Sequence, residues 1–275
     1  MSIPANPRAV VTGAAGGLGR ALCRELARRG GRVIFADIDL DAVRATAAEF
    51  GFPENHAVAC DVADLAAVES LAETADRLLG GVDLVVNNAG VAAGGRVGEV
   101  PIEDWRWALD VNLWGVIHGC HVFVPRFRAQ GSGHVLNVAS TAGLIASPML
   151  GPYNVSKSGV VALSETLYGE LTLEGIGVSV LCPTFFKTNI ADSARMTGDR
   201  AMLNVVRNLM SAAKIQADDV ARIALDAVQR DQLYVLPHRD GRMMWRFKRL
   251  FPAAFHRITP RLLRWRAQRA GVASN

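Results

Sequence analysis

No stretch of this 275-residue chain reaches the roughly eighteen uncharged apolar residues that a membrane-spanning helix requires. The opening run, Met1-Ser2-Ile3-Pro4-Ala5-Asn6-Pro7-Arg8, holds no apolar leader, so no secretory signal is expected and the cytoplasm is the expected compartment. Cysteine is sparse. Cys23, Cys60, Cys120 and Cys182 stand far apart and form no C-x-x-C pair, so reduced core thiols are expected and no metal site. Internal repeats and low-complexity linkers are absent too. Acidic residues are missing from one region only: Gly241 to Asn275 carries nine Lys or Arg and no Asp or Glu. The overall charge of +4 therefore hides a body of 21 basic against 26 acidic residues, a net of −5.

What is present is a chain half apolar in composition, enough for one sizeable core. Short β-branched runs alternate with helix-period stretches. Ala9–Val11, Arg32–Ala36, His56–Cys60, Val82–Val86, His134–Val138, Val178–Leu181 and Leu233–Leu236 read as strands. Leu18–Arg29, Asp41–Phe50, Asp64–Leu79, Ile102–Arg128 and Tyr153–Glu174 read as helices. This order predicts an α/β fold with right-handed crossovers and a doubly wound parallel sheet, with its ligand site at the carboxyl ends of the strands. The expected division is a single catalytic domain over 1–238 and a basic, amphipathic helical extension over 239–275. The stretch Thr184–Lys214 shows no pattern and has room for a lid.

Thr12-Gly13-Ala14-Ala15-Gly16-Gly17-Leu18-Gly19 lies between the first strand and the first helix. Glycine there permits a tight turn and close approach of backbone to a pyrophosphate, which the helix N-terminus then attracts. Asp37 ends the second strand and is followed by Ile38; no Lys or Arg stands beside it. A carboxylate at that point accepts hydrogen bonds from ribose hydroxyls and repels a 2′-phosphate, which favours NAD over NADP. The alternative reading of Asp37, or of Asp39, is a helix N-cap.

Tyr153 and Lys157 are four residues apart on a helix and share a face. A free tyrosine, with a pKa of about 10, is a poor base at neutral pH, and a nearby ammonium favours its phenolate. One lysine together with the positive nicotinamide ring of a bound cofactor is expected to supply the lowering of the Tyr153 pKa. Ser140 follows the fifth strand, and Asn87-Asn88-Ala89-Gly90 follows the fourth. Asn112 sits inside a helix, where asparagine is disfavoured.

Taken together, these motifs resemble those of the short-chain dehydrogenase/reductase family, over roughly Arg8 to Leu236. The matching positions are Thr12, Gly13, Gly17 and Gly19 of the glycine loop, Asp61-Val62, the N-N-A-G run, Asn112, Ser140, and Tyr153 with Lys157. The resemblance implies a Rossmann-type fold and an oxidoreductase that interconverts a secondary alcohol and a ketone. It implies that Leu18, Ile38, Asp61, Val62, Asn88, Ala89, Gly90, Pro183 and Thr188 join the glycine loop and Asp37 around the cofactor. Tyr153 would be the general acid/base, Lys157 its partner on the nicotinamide ribose, and Ser140 the holder of the substrate oxygen. Asn112 would position a water that links Lys157 to solvent. A homodimer or homotetramer built on the helices Ile102–Arg128 and Tyr153–Glu174 is also implied. One departure is Thr184, where the family usually has glycine after Pro183; this puts the geometry of the local turn in doubt.

Leu150, Phe185 and Phe186 fall in apolar segments expected around the reactive carbon, pointing to a lipophilic substrate such as a steroid, terpenoid or alicyclic compound. Lid packing is the competing reading of those residues. For the tail, Arg242, Arg246 and Arg249 fall on one side of a helix and Met243, Met244, Phe247, Leu250 and Phe251 largely on the other. That composition suits a membrane surface. Packing on the acidic body is the rival, and nothing else favours nucleic acid. Two alternative functions stand beside the leading one: an NADPH-dependent ketone reductase, and a non-catalytic dinucleotide-sensing or membrane-associated binding protein.

Overall fold

The computed structural model describes residues 3–198 and 210–259. Seven parallel strands form one sheet in the order β3-β2-β1-β4-β6-β7-β9. They are β1 (Arg8–Thr12), β2 (Arg32–Asp37), β3 (Ala57–Ala59), β4 (Leu84–Asn87), β6 (Gly133–Val138), β7 (Ile176–Leu181) and β9 (Tyr234–Val235). The seven runs read as strands in the sequence are these seven, with no end moved by more than two residues. A two-stranded pair, β5 (Ala93–Gly94) with β8 (Arg195–Met196), had no periodic signal because each strand is two residues long.

Both faces of the sheet are covered. Val10 of β1 and Val85 of β4 face a core built with α3 (Leu65–Leu79), α5 (Gly115–Gln130) and α7 (Gly151–Leu171). Their neighbours Ala9, Val11, Leu84 and Val86 face a second core with α1 (Gly17–Arg28), α2 (Leu40–Glu49) and α8 (Ala217–Gln229). Alternate residues of a strand thus enter opposite cores, which is why these strands read as continuous apolar runs. Helix α8 was missing from the sequence reading. Its buried positions Val220, Ala221, Ala224, Leu225 and Val228 keep a helical period, but small alanines carry much of it.

The chain winds outward from β1 to β3, then returns to place β4 on the other side of β1. The crevice at this switch point is where an open parallel sheet receives a ligand. The glycine loop, the N-N-A-G run and Ser140 all leave the sheet on this edge.

Candidate active site

The glycine loop is held by its neighbours. Gly13 and Gly17 adopt left-handed backbone, with φ of 66° and 51°. A Cβ on Gly19 would lie 1.9 Å from the Gly13 carbonyl oxygen, so α1 can start against the loop only with glycine there. Asp37 Oδ2 accepts from the Ala15 N–H at 3.0 Å, tying the second strand to the loop. Asp39 is the residue that caps α2, accepting from Ala42 N–H. The N-cap alternative for Asp37 is therefore set aside. Ile38 beside it is 72 % exposed.

Thr12 and Asn88 are bonded to each other's loops. The Thr12 hydroxyl oxygen accepts from the backbone N–H groups of Asn88 and Ala89 at 3.0 and 3.1 Å. Asn88 Nδ2 donates to the carbonyls of Thr12 and Gly13 at 2.8 and 3.2 Å. Both side chains fix the two loops to one another. Val62 fills the space above Gly115, where a Cβ would meet its Cγ2 at 2.6 Å. The carboxylate of Asp61 receives the Ala63 N–H at 3.0 Å.

Asn112 lies in one turn of π-helix, Asp110–Trp114, between α4 (Ile102–Leu109) and α5. Such a turn breaks the regular ladder and explains how asparagine is accommodated there. Its side chain is fully buried. It accepts from the Val91 N–H at 2.8 Å, and its Nδ2 donates to the Val91 carbonyl at 2.9 Å and Ser156 Oγ at 3.2 Å. With its amide so engaged, it positions the segment after Gly90. A Cβ on Gly90 would sit 3.0 Å from Asn112 Oδ1 and 3.4 Å from Lys157 Nζ, so these three residues meet.

Ser140 begins α6 (Thr141–Ile145), and its hydroxyl oxygen accepts from Ala142 N–H at 3.1 Å. The same hydroxyl is hydrogen-bonded to the Tyr153 side chain. Buried Lys157 donates to the Val138 carbonyl at 2.9 Å, and its Nζ lies 5.9 Å from the centre of the Tyr153 ring. Burial lowers the Lys157 pKa to about 8. Tyr153 is set by its surroundings in the protein. Burial raises its pKa above the ordinary value, and the Ser140 hydrogen bond only partly opposes this.

Thr184 does not strain the turn after β7, because it is absent from the residues with positive φ. Its N–H donates to His238 Nδ1 at 3.3 Å, and the Pro183 carbonyl accepts from Thr141 N–H at 2.9 Å. His238 escaped the sequence reading because nothing in its spacing marks it. Phe186 is a correction: it turns inward, buried in the second core with its ring stacked on His238 at 6.3 Å, and so does not line the crevice. Phe185 is 44 % exposed and Leu150 half-buried. Thr188 packs over the glycine loop, 3.4 Å from where a Cβ on Gly17 would stand. Arg195 is committed elsewhere, paired with Asp104 at 3.1 Å and lying 3.9 Å over the Trp107 ring. The loop joining α6 to α7 contains two non-glycine residues with positive φ, Ala146 and Met149. Met149 is pinned through its carbonyl to the Gly95 N–H at 2.8 Å.

Comparison with known proteins agrees with this geometry. The family described as short chain dehydrogenase matches residues 7–198. The 1-deoxy-11-beta-hydroxypentalenate dehydrogenase of Streptomyces exfoliatus is 35 % identical over 243 residues, covering 86 % of this chain and 85 % of that protein. A solved short chain dehydrogenase/reductase from Burkholderia phymatum in complex with NAD is 35 % identical, with a TM-score of 0.81, covering 88 % of this chain and 92 % of that one. The chain belongs to the short-chain dehydrogenase/reductase family. It is an NAD(P)-dependent oxidoreductase of the alcohol dehydrogenase type. The probable oxidoreductase EphD of Mycobacterium bovis is 33 % identical over 265 residues, and this chain spans 44 % of its length. Among the described residues no cluster suits a metal ion, and all four cysteines are buried and free. Burial pushes the Cys60, Cys120 and Cys182 thiols up to about 12, which leaves them inert.

Proposed function

We propose that the protein oxidises a lipophilic secondary alcohol to its ketone, or reduces the ketone, with NAD as the preferred cofactor and Tyr153 as general acid/base. The observation that carries this reading is the convergence of Tyr153, hydrogen-bonded Ser140 and buried Lys157 beside the Gly90 segment. The crevice fits a dinucleotide on its own terms. Gly13, Gly17 and Gly19 leave bare backbone at the start of α1, and Asp37 stands at the end of β2 with Ile38 open beside it. Leu18, Asp61, Val62, Ala89, Gly90, Pro183 and Thr188 complete that lining, with Thr12 and Asn88 holding the loops.

When bound, the nicotinamide supplies the acceptor or donor of hydride. The chain handles the proton. The Ser140 hydroxyl orients the substrate oxygen toward Tyr153. Tyr153 Oη takes the alcohol proton in oxidation and returns it in reduction. Lys157 places its charge beneath the tyrosine ring and favours the phenolate in the transition state. Asn112 holds the Val91 segment against this group. An NADPH-preferring reductase remains the contrasting reading, and Asp37 argues against it.

The lipophilic substrate rests on Leu150 and exposed Phe185, and on the engagement of Arg195 with Asp104 and Trp107. A panel of NAD-linked alcohols tests it: steroid and alicyclic alcohols should give the higher kcat/KM. Preference for small charged alcohols would overturn it. A homodimer or homotetramer is proposed from Trp114 and Val155, which stay 51 % and 50 % exposed on the helices the family uses for assembly.

A further inference from the structure

The last described helix, α9 (Arg239–Leu250), divides into three lengthwise sectors. One faces the body. Gly241 lies so close to the turn after β7 that a Cβ would meet Thr184 Cγ2 at 2.7 Å. Trp245 packs on Tyr234 with ring centres 5.0 Å apart, and Lys248 donates to the Leu144 carbonyl at 2.7 Å. These three contacts fix how the helix is turned.

The second sector is apolar and exposed. Met243 is 68 % exposed and Leu250 71 %, with Phe247 between them, and Phe251 and Ile258 extend the stripe into the next helical segment, residues 252–259. Phe247 is held by ring contacts with Phe251 and Phe255 at 5.9 and 6.1 Å, so the stripe is a built ridge. The third sector runs along one edge of that ridge. Arg239, Arg246 and Arg249 are exposed there, with Arg257 beyond. None of the four forms an ion pair among the described residues, although the body has carboxylates to spare. In sequence, residues 260–275 add four more arginines and no acid.

We propose that this ridge docks the enzyme on the surface of an anionic lipid bilayer. An apolar ridge edged by arginines that form no ion pair among the described residues, Arg249 lying over the Trp245 ring at 5.5 Å, matches the boundary between acyl chains and negative headgroups. The body-facing contacts hold the ridge outward, so docking needs no rearrangement. None of the described helices is long and apolar enough to cross a membrane, so the contact is peripheral. The proposal adds a partner to the proposed dehydrogenase, and places its crevice where a lipophilic alcohol concentrates. Its test reads binding and not turnover, so either reading can fail alone.

The full chain is sedimented with vesicles of phosphatidylcholine containing phosphatidylglycerol, and with phosphatidylcholine alone. Recovery with the anionic vesicles only, falling as salt is raised, is expected. Met243→Glu with Leu250→Glu should abolish recovery, and Arg246→Gln with Arg249→Gln should weaken binding by roughly tenfold or more. Both pairs lie on the surface, and unchanged dehydrogenase activity without lipid verifies their folding. No recovery with either vesicle overturns the proposal, as does equal recovery of wild type and variants. Loss of the oligomer in the Glu variant, without any lipid effect in the wild type, assigns the ridge to a second copy of this chain and equally overturns it.

Discussion

The side chain of Asn112 satisfies both backbone polar groups of Val91, accepting its N–H at 2.8 Å and donating to its carbonyl at 2.9 Å. A residue in a π turn thereby sets the path of the chain as it leaves the N-N-A-G run. Asn112→Ala removes partners from two backbone groups at once, and about 1–3 kcal/mol of stability should be lost. Thermal unfolding checks this. A proportionally larger fall in kcat than in cofactor affinity would show that the displaced segment disturbs Tyr153 and Lys157. An unchanged Tm would contradict the positioning role.

Gly19→Ala should be the most damaging change in the glycine loop. The new Cβ would stand 1.9 Å from the Gly13 carbonyl oxygen, so loop and helix must separate. Cofactor affinity should drop by about tenfold or more, equivalent to about 1.4 kcal/mol. Gly17→Ala meets Thr188 only at 3.4 Å, and its cost is mainly that of holding φ at 51°. Titration of the two variants with NAD should rank them in that order.

How much of this was legible beforehand differs between residues. Asp37 and Asp39 were equal candidates for a helix cap in sequence, since both are carboxylates beside a helix start. The distances separate them: Asp39 caps α2 and Asp37 holds Ala15. The seven strands and the Ser140, Tyr153 and Lys157 set were readable because periodicity and motif spacing are local properties. Phe186 was not, because whether a lid residue turns in or out depends on His238, 52 positions away in sequence. The rise in Tyr153 pKa was unreadable for a related reason. Spacing shows that a lysine is near, but only the packed structure shows that the tyrosine is buried and that burial raises its pKa.

Asp37→Ala should change cofactor choice. Removing the carboxylate abolishes repulsion of a 2′-phosphate and also frees the Ala15 N–H. KM for NAD should rise by about tenfold while activity with NADP increases. Steady-state kinetics with both cofactors check this. A wild-type enzyme that already prefers NADPH would contradict the assignment of Asp37.

Acid should destabilise the fold through His134. It is fully buried in β6, hydrogen-bonded to Ser179 Oγ at 2.9 Å, and burial lowers its pKa to about 4. Between the ordinary histidine pKa of about 6.5 and that value, the unfolded chain binds the proton and the folded chain does not. Stability should therefore fall as pH drops through this window, by up to about 3 kcal/mol, and stop falling from this cause below it. Denaturant unfolding at several pH values measures the slope. His134→Gln should flatten it, and an unchanged slope in the variant would assign the loss to other groups.

The central claim is that Tyr153 Oη carries the proton of the reaction while the cofactor is held by other residues. Tyr153→Phe keeps the ring over Lys157 and removes only the hydroxyl. Turnover of an alcohol substrate should fall by about 10²-fold or more, the scale of general acid–base catalysis, while NAD affinity measured by titration stays within about twofold of wild type. Turnover that survives the loss of this hydroxyl would contradict the account.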